Sequence, residues 1–359
     1  MKIAYAVFAL ALIGCSPQSE TLDTPTQSTE TAPNTVQNAG VVNLYTSRHY
    51  DTDLALYSDF TKATGITVNK IEADADALIA RIKAEGEYTP ADVFITVDAG
   101  RLWRAEQADI LKPITSEVLS NRVPTHFSHP DGLWYGISKR ARVIIYNKAA
   151  GRPEGLNTYM DLAKPEFKNQ ICMRSSSNIY NISLLASIIG HVGSEGAQSW
   201  ADGMVANFAR KPQSNDTGHI KDVASGECKI SLVNTYYIAR VASATATDEK
   251  PILDQVGIIF PNEGDGENEY GTHVNISGAA LVKHAPNSQN GIKFIEYLTS
   301  KDAQSYFANG NHEYPVVSNI APTAIVTSLG AFTEDKINMA ELGKNQKEAV
   351  QIFDKAGWQ

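Results

Sequence analysis

Between residues 41 and 95 short β-type runs alternate with amphipathic helical segments, and this alternation calls for a sheet of parallel strands with helices on its faces. Residues 41–45 (VVNLY) read as a strand. Asp51 then stands where an N-cap belongs, ahead of a helix with Leu54, Tyr57 and Phe60 on one face and Gly65 at its end. Residues 66–71 alternate as a second strand. Leu78, Ile79 and Ile82 mark a second helix that stops at Gly86, and residues 93–95 form a buried third strand. A similar series starts at residues 143–146 and runs through helices over 182–189 and 197–208 to strands over 230–233 and 256–260. The last third reads as mainly helical, with Ile292, Ile295 and Leu298 on one stripe and Val350, Ile352 and Phe353 near the end. With 359 residues, two α/β lobes are the expected architecture, and ligands of such sheets bind outside the strands' carboxyl ends, here in a cleft between lobes. No GxGxxG or GxxxxGK[ST] loop and no repeat of about 20–50 residues occurs, so nucleotide cradles and solenoids are set aside.

The start of the chain reads as an address. Lys2 precedes an apolar run over residues 3–13, too short to span a bilayer, which ends in Gly14-Cys15. This arrangement resembles the lipobox of bacterial lipoproteins, in which residues 1–14 are removed as a signal peptide and Cys15 is lipidated. Residues 15–40 are rich in Ser, Thr, Gln, Asn and Pro and offer little apolar surface, so they read as a flexible tether. The 31 basic against 40 acidic residues, net −9, argue against nucleic acid as a partner and leave the lipid anchor as the only membrane attachment. Cys172 and Cys228 remain, an even count in an exported chain, and a disulfide between them is the default, with two buried thiols as the alternative.

Four segments carry possible chemistry: Ser47-Arg48-His49-Tyr50 after the first strand, Arg174 to Tyr180 with its three consecutive serines, Tyr236-Tyr237 after the strand at 230–233, and Arg240. With 15 tyrosines, about 0.6 adjacent pairs arise by chance, so Tyr236-Tyr237 alone carries no argument.

The motifs SRHYDTD at 47–53, KRAR at 139–142, CMRSSSNIYN at 172–181 and NTYYIAR at 234–240 together resemble the ferric-iron-binding proteins of bacterial ABC importers, cyanobacterial type, over residues 41–359. The resemblance implies a two-lobed periplasmic-binding-protein fold. Each lobe would be a mixed, mainly parallel sheet flanked by helices, with residues 41–137 and 271–315 in lobe 1 and 138–270 and 316–359 in lobe 2. It also implies Tyr50, Tyr180, Tyr236 and Tyr237 as ligands of transported Fe(III), with His49 as an alternative ligand. The partners implied are ferric iron and the membrane subunits of an ABC permease, and the protein would be monomeric, extracytoplasmic and not an enzyme. Other branches add a Glu and a synergistic anion; no counterpart of that Glu stands out here, which leaves the anion open.

The residue chemistry agrees with that implication. Fe(III) is a hard ion that favours oxygen donors, and a phenolate is the strongest oxygen donor among side chains. A Tyr has an ordinary pKa near ~10, but a bound multivalent cation displaces its proton. Four phenolates would carry excess negative charge, and Arg140, Arg240 and Arg48 are the candidates to offset it through charge-assisted hydrogen bonds. Two other readings keep their place. The same fold could bind an oxyanion, on Arg174, Ser175, Ser176 and Ser177 at a helix N-terminus, or a polyamine, or the triple serine could serve a secreted hydrolase. The hydrolase reading lacks GxSxG and an identifiable base.

Overall fold

The structure, a computed structural model, describes residues 39–213, 215–244, 252–318 and 320–359. The leader, Cys15 and all of the tether but Ala39 and Gly40 lie outside the described residues. The Ala39 N–H donates to the Gly65 carbonyl at 3.1 Å.

The strands are β1 (Val41–Thr46), β2 (Thr67–Glu72), β3 (Val93–Val97), β4 (Leu111–Lys112), β5 (Trp134–Asn147), β6 (Ile171–Cys172), β7 (Ile230–Asn234), β8 (Val256–Ile259) and β9 (Val274–Val282). The helices are α1 (Thr52–Thr64), α2 (Ala75–Glu85), α3 (Ala99–Gln107), α4 (Glu117–Arg122), α5 (Ile179–Asn207), α6 (Asp216–Ser225), α7 (Thr235–Ser243) and α8 (Ile252–Gln255). They continue with α9 (Ser288–Leu298), α10 (Lys301–Asn311), α11 (Ala324–Ser328), α12 (Met339–Lys344) and α13 (Gln346–Ala356).

The strand order is β2-β1-β3-β9-β5-β7-β6, with β4 also on β9 and β8 also on β5. The first lobe is built on β1, β2, β3, β4 and β9, and the second on β6, β7 and β8. The long strand β5 belongs to both: its residues up to Ala141 pair with β9, and from Arg142 onward they pair with β7. In the first lobe β9 alone runs against the other strands, and in the second β5 does. Each lobe is therefore mixed and mainly parallel by strand direction, as expected. Because the reversed strand lies in the middle, most neighbouring pairs are nevertheless antiparallel.

Four local expectations need correction. Strand β9 lies in the stretch read as mainly helical, because its run VNISGAALV is buried on both faces and shows no alternation. Gly278 in that strand is a packing requirement, since a Cβ there would come within 2.5 Å of the Leu102 side chain on α3. Strand β5 begins nine residues earlier than expected, at Trp134 instead of 143, because Lys139, Arg140 and Arg142 interrupt its apolar pattern. On α1 the buried positions are Asp53, Leu56, Tyr57 and Phe60, while Leu54 is exposed; Arg48 makes burial of Asp53 tolerable. Asp51 precedes α1 in helical backbone geometry, without a side-chain capping bond. The two helices expected over 182–189 and 197–208 are both present, running together as α5 and separated by the non-helical Gly193, where φ is +71°.

Helices α5 and α13 cover one face of the second sheet, around Trp200, Phe353 and Trp358. Helix α12 packs on α3 and on α5, so the C-terminal segment touches both lobes. Cys172 at the end of β6 and Cys228 just before β7 are joined in a disulfide with Cα atoms 5.8 Å apart.

Candidate metal centre

Tyr50 lies in the loop that leaves the carboxyl end of β1, the edge where α/β sheets hold ligands. The loop is anchored from below by Arg48, which is buried. Its Nε donates to Asp53 at 2.8 Å, Nη2 to Glu313 at 2.9 Å and Nη1 to Ser277 at 2.7 Å. Burial opposes the charge on this guanidinium, but Asp53 and Glu313 more than offset that and hold its pKa up. Its Cζ sits 4.7 Å from the centre of the Tyr50 ring, so Arg48 supports Tyr50 through the ring face while its N–H groups are engaged elsewhere.

Tyr180, Tyr236 and Tyr237 occupy the first turns of two helices in the second lobe. Asn178 caps α5 by accepting from the Tyr180 N–H at 3.1 Å. Helix α7 follows β7 without a loop, which places Tyr236 and Tyr237 directly at the strand's carboxyl end. The Tyr180 and Tyr236 hydroxyls are 3.1 Å apart, and the Tyr236 and Tyr237 rings lie 4.2 Å apart between centres. Buried Asp216 holds the arrangement: it accepts from the Asn234 N–H at 2.8 Å, from Arg174 at 3.0 Å and from Arg142 at 3.4 Å. Arg174 and Arg140 lie 5.4 and 5.6 Å from the Tyr180 ring centre. The exposed Arg240 stands 5.9, 5.7 and 5.5 Å from the ring centres of Tyr50, Tyr236 and Tyr237.

All four tyrosines line one cleft of about 620 Å³, together with His49, Arg101 and Arg240. Burial pushes the phenol pKa up for Tyr50, Tyr180 and Tyr236. For Tyr180 the neighbouring Tyr237 adds to the rise and Arg140 opposes it. For Tyr236 the nearby Tyr180 and Tyr50 add to it. These three phenols therefore stay neutral in the empty cleft, and only a strongly polarising cation would displace their protons. Among the described residues no group of three or more His, Cys, Asp and Glu side chains is placed to hold a metal ion, and the cleft lining carries Asp51 and Asp74 besides the four phenols.

The other residues singled out from sequence are placed as follows. His49 lies at the rim of the cleft, exposed, with Nδ1 2.7 Å from Glu72 Oε1. Arg140 turns one nitrogen to Asp98 at 3.2 Å. Ser175 and Ser177 bond to each other at 2.6 Å, and Arg174 is engaged by Asp216. Sequence reasoning did not single out Asp98, Asp216, Glu313 or Arg101. All four come together only through the fold.

A family model described as bacterial extracellular solute-binding protein matches residues 89–327. Iron uptake protein A1 of Synechocystis is 46% identical over 349 residues, 97% of this chain and 93% of that protein. Iron uptake protein A2 of the same organism is 45% identical over 318 residues, covering 89% of this chain and 90% of that one. Among solved structures, Trichodesmium IdiA (FutA) in complex with iron and citrate ligands superposes with a TM-score of 0.86 at 51% identity, covering 89% of this chain and all of that one. A phenol-lined interlobe cleft, the family match and relatives of this similarity agree: the chain belongs to the bacterial extracellular solute-binding proteins, in the ferric-binding group of cyanobacterial type.

Proposed function

We propose that this protein captures Fe(III) through the phenolates of Tyr50, Tyr180, Tyr236 and Tyr237 and delivers it to an ABC permease. The observation that carries the reading is the convergence of these four phenols on one cleft, two of them within hydrogen-bond distance. Iron as cargo also agrees with the iron uptake proteins to which the chain is similar. Arg240 beside Tyr50, Tyr236 and Tyr237 supplies positive charge against the phenolates, with Arg140 near the Tyr180 ring but shared with Asp98. His49 lies close enough to the rim to act as an alternative donor once it leaves Glu72.

The cleft volume is that of roughly twenty water molecules, far more than one ion needs. A small carboxylate chelator of the kind bound in the Trichodesmium structure fits beside the ion, with Arg101 and Arg240 on the wall to meet its charge. The oxyanion alternative is disfavoured because the charge of Arg174 is already met by Asp216.

In this reading residues 41–137 with 271–315 and 138–270 with 316–359 move as two lobes about β5 and β9. The protein works as a monomeric, extracytoplasmic binding protein, held to a membrane by lipid on Cys15, and is not an enzyme. The permease reads the closed, loaded form through the rims of both lobes. Titration of the iron-free protein with ferric citrate tests the cargo: a visible phenolate-to-iron charge-transfer band supports it, and a colourless mixture refutes it.

A further inference from the structure

We propose that Asp98 is the catch that holds the two lobes together beneath the metal centre, a positioning residue for closure of the cleft. Asp98 lies at the junction of β3 and α3 in the first lobe and is fully buried. Its backbone has φ +86° and ψ +124°, a region that side-chain-bearing residues rarely adopt, so the surroundings hold it there against strain. Each carboxylate oxygen takes two donors. Oδ1 accepts from the Gly100 N–H at 3.0 Å and from Ser183 Oγ at 2.6 Å; Oδ2 accepts from Asn275 Nδ2 at 3.0 Å and from Arg140 Nη2 at 3.2 Å. The four partners stand on α3, α5, β9 and β5. One carboxylate therefore joins the first lobe, both strands at the lobe junction and the second lobe's α5.

The bonds to Arg140 and Ser183 both cross between lobes, and the one to Ser183 reaches past the junction strands to α5. Ser183 lies three residues after Tyr180, on the same face of α5, so a pull on Ser183 is a pull on the helix turn that presents a metal ligand. Asn275 fixes the other side, because its Oδ1 accepts from the Ala99 N–H at 2.9 Å and ties the start of α3 to β9. A carboxylate with all four of these donors in place is rigid, and losing the Ser183 donor leaves Oδ1 with the Gly100 N–H alone and cuts the tie to α5. The catch thus favours the closed form and should act on release of cargo more than on its capture.

The inference rests on the ferric reading, and the test separates the two. Full-length Ser183→Ala, Asp98→Asn and unmodified protein are loaded with ferric citrate and followed by the charge-transfer band. Loading rate, release to excess competing chelator, and small-angle scattering with and without iron are measured. Ser183→Ala should load at the unmodified rate, release about tenfold faster and shift the loaded envelope toward the iron-free one, with Asp98→Asn moving further the same way. If Asp98→Asn does not fold, Ser183→Ala decides alone. Release at the unmodified rate, or loading impaired as much as release is accelerated, would overturn the catch. Absence of any coloured complex in the unmodified protein would instead refute the ferric reading.

Discussion

Tyr180, Tyr236 and Tyr237 stand on the first turns of helices in the second lobe, whereas Tyr50 stands in a loop of the first, and the two settings are held by different means. In the second lobe the backbone itself sets the position: Asn178 caps α5, α7 begins where β7 ends, and Asp216 ties Asn234 to Arg174. In the first lobe Tyr50 sits in a loop, where its carbonyl accepts from the Asp53 N–H at 3.0 Å and its ring rests on Arg48, whose guanidinium is pinned by Asp53 and Glu313. In the proposed function, the three phenols fixed on one wall would bind iron first at little further ordering cost. The single phenol on the opposite wall would engage when the walls meet. The division suits a protein that must capture tightly and still let go.

The largest effect should come from the fixed group. Tyr236→Phe and Tyr237→Phe each remove a donor oxygen and keep the ring, so ferric affinity should fall by about a hundredfold or more while thermal stability changes little. Competition titration against citrate measures the first, and a melting curve the second. Equal, small losses at these positions and at Tyr50 would erase the distinction between the lobes.

Next in size is the disulfide, which belongs to the second lobe alone. It closes a loop between residues separated by 56 positions, and replacing both Cys172 and Cys228 with Ser should lower stability by about 2–4 kcal/mol. Denaturant unfolding measures the loss, and an unchanged midpoint would show that this wall does not depend on the crosslink.

Tyr50→Phe should cost less affinity, about tenfold, and the loss should fall in the release rate and in the loaded scattering envelope instead of the loading rate. A matching loss in loading would make Tyr50 part of the capture group.

The smallest effect is one of pH at the junction of the lobes. Burial holds His273 down at about 4, with Asp335 and Asp98 pulling up and Arg142 and Arg140 pulling down. The unfolded chain takes up a proton near ~6.5 and the folded one does not, so this contribution is unaffected above that pH and stability falls as pH drops toward about 4. Between pH 7.5 and 5.5 the loss from this residue should be about 1 kcal/mol, and His273→Gln should flatten the dependence. An identical slope in the variant would assign the pH response elsewhere.

The alternation of strands and helices after residue 40 was readable because each amphipathic helix carries its own period and its own stop, as at Gly65 and Gly86. Strand β9 was not, because it is buried on both faces and so has no polar face to alternate with. The tyrosines could be picked out through spaced motifs whose local strings survive in sequence. Asp98 and Asp216 could not, since a buried carboxylate looks like any other acidic residue until its donors, which lie 42 to 177 positions away for Arg140 and Asn275, are folded around it.

The most direct test of the account is the visible spectrum of iron-free protein titrated with ferric citrate, in the unmodified chain and in Tyr236→Phe and Tyr237→Phe. The account predicts a charge-transfer band that saturates at one iron per chain and is strongly weakened in both variants. A band of unchanged strength and affinity in both variants, or no band in the unmodified protein, would contradict it.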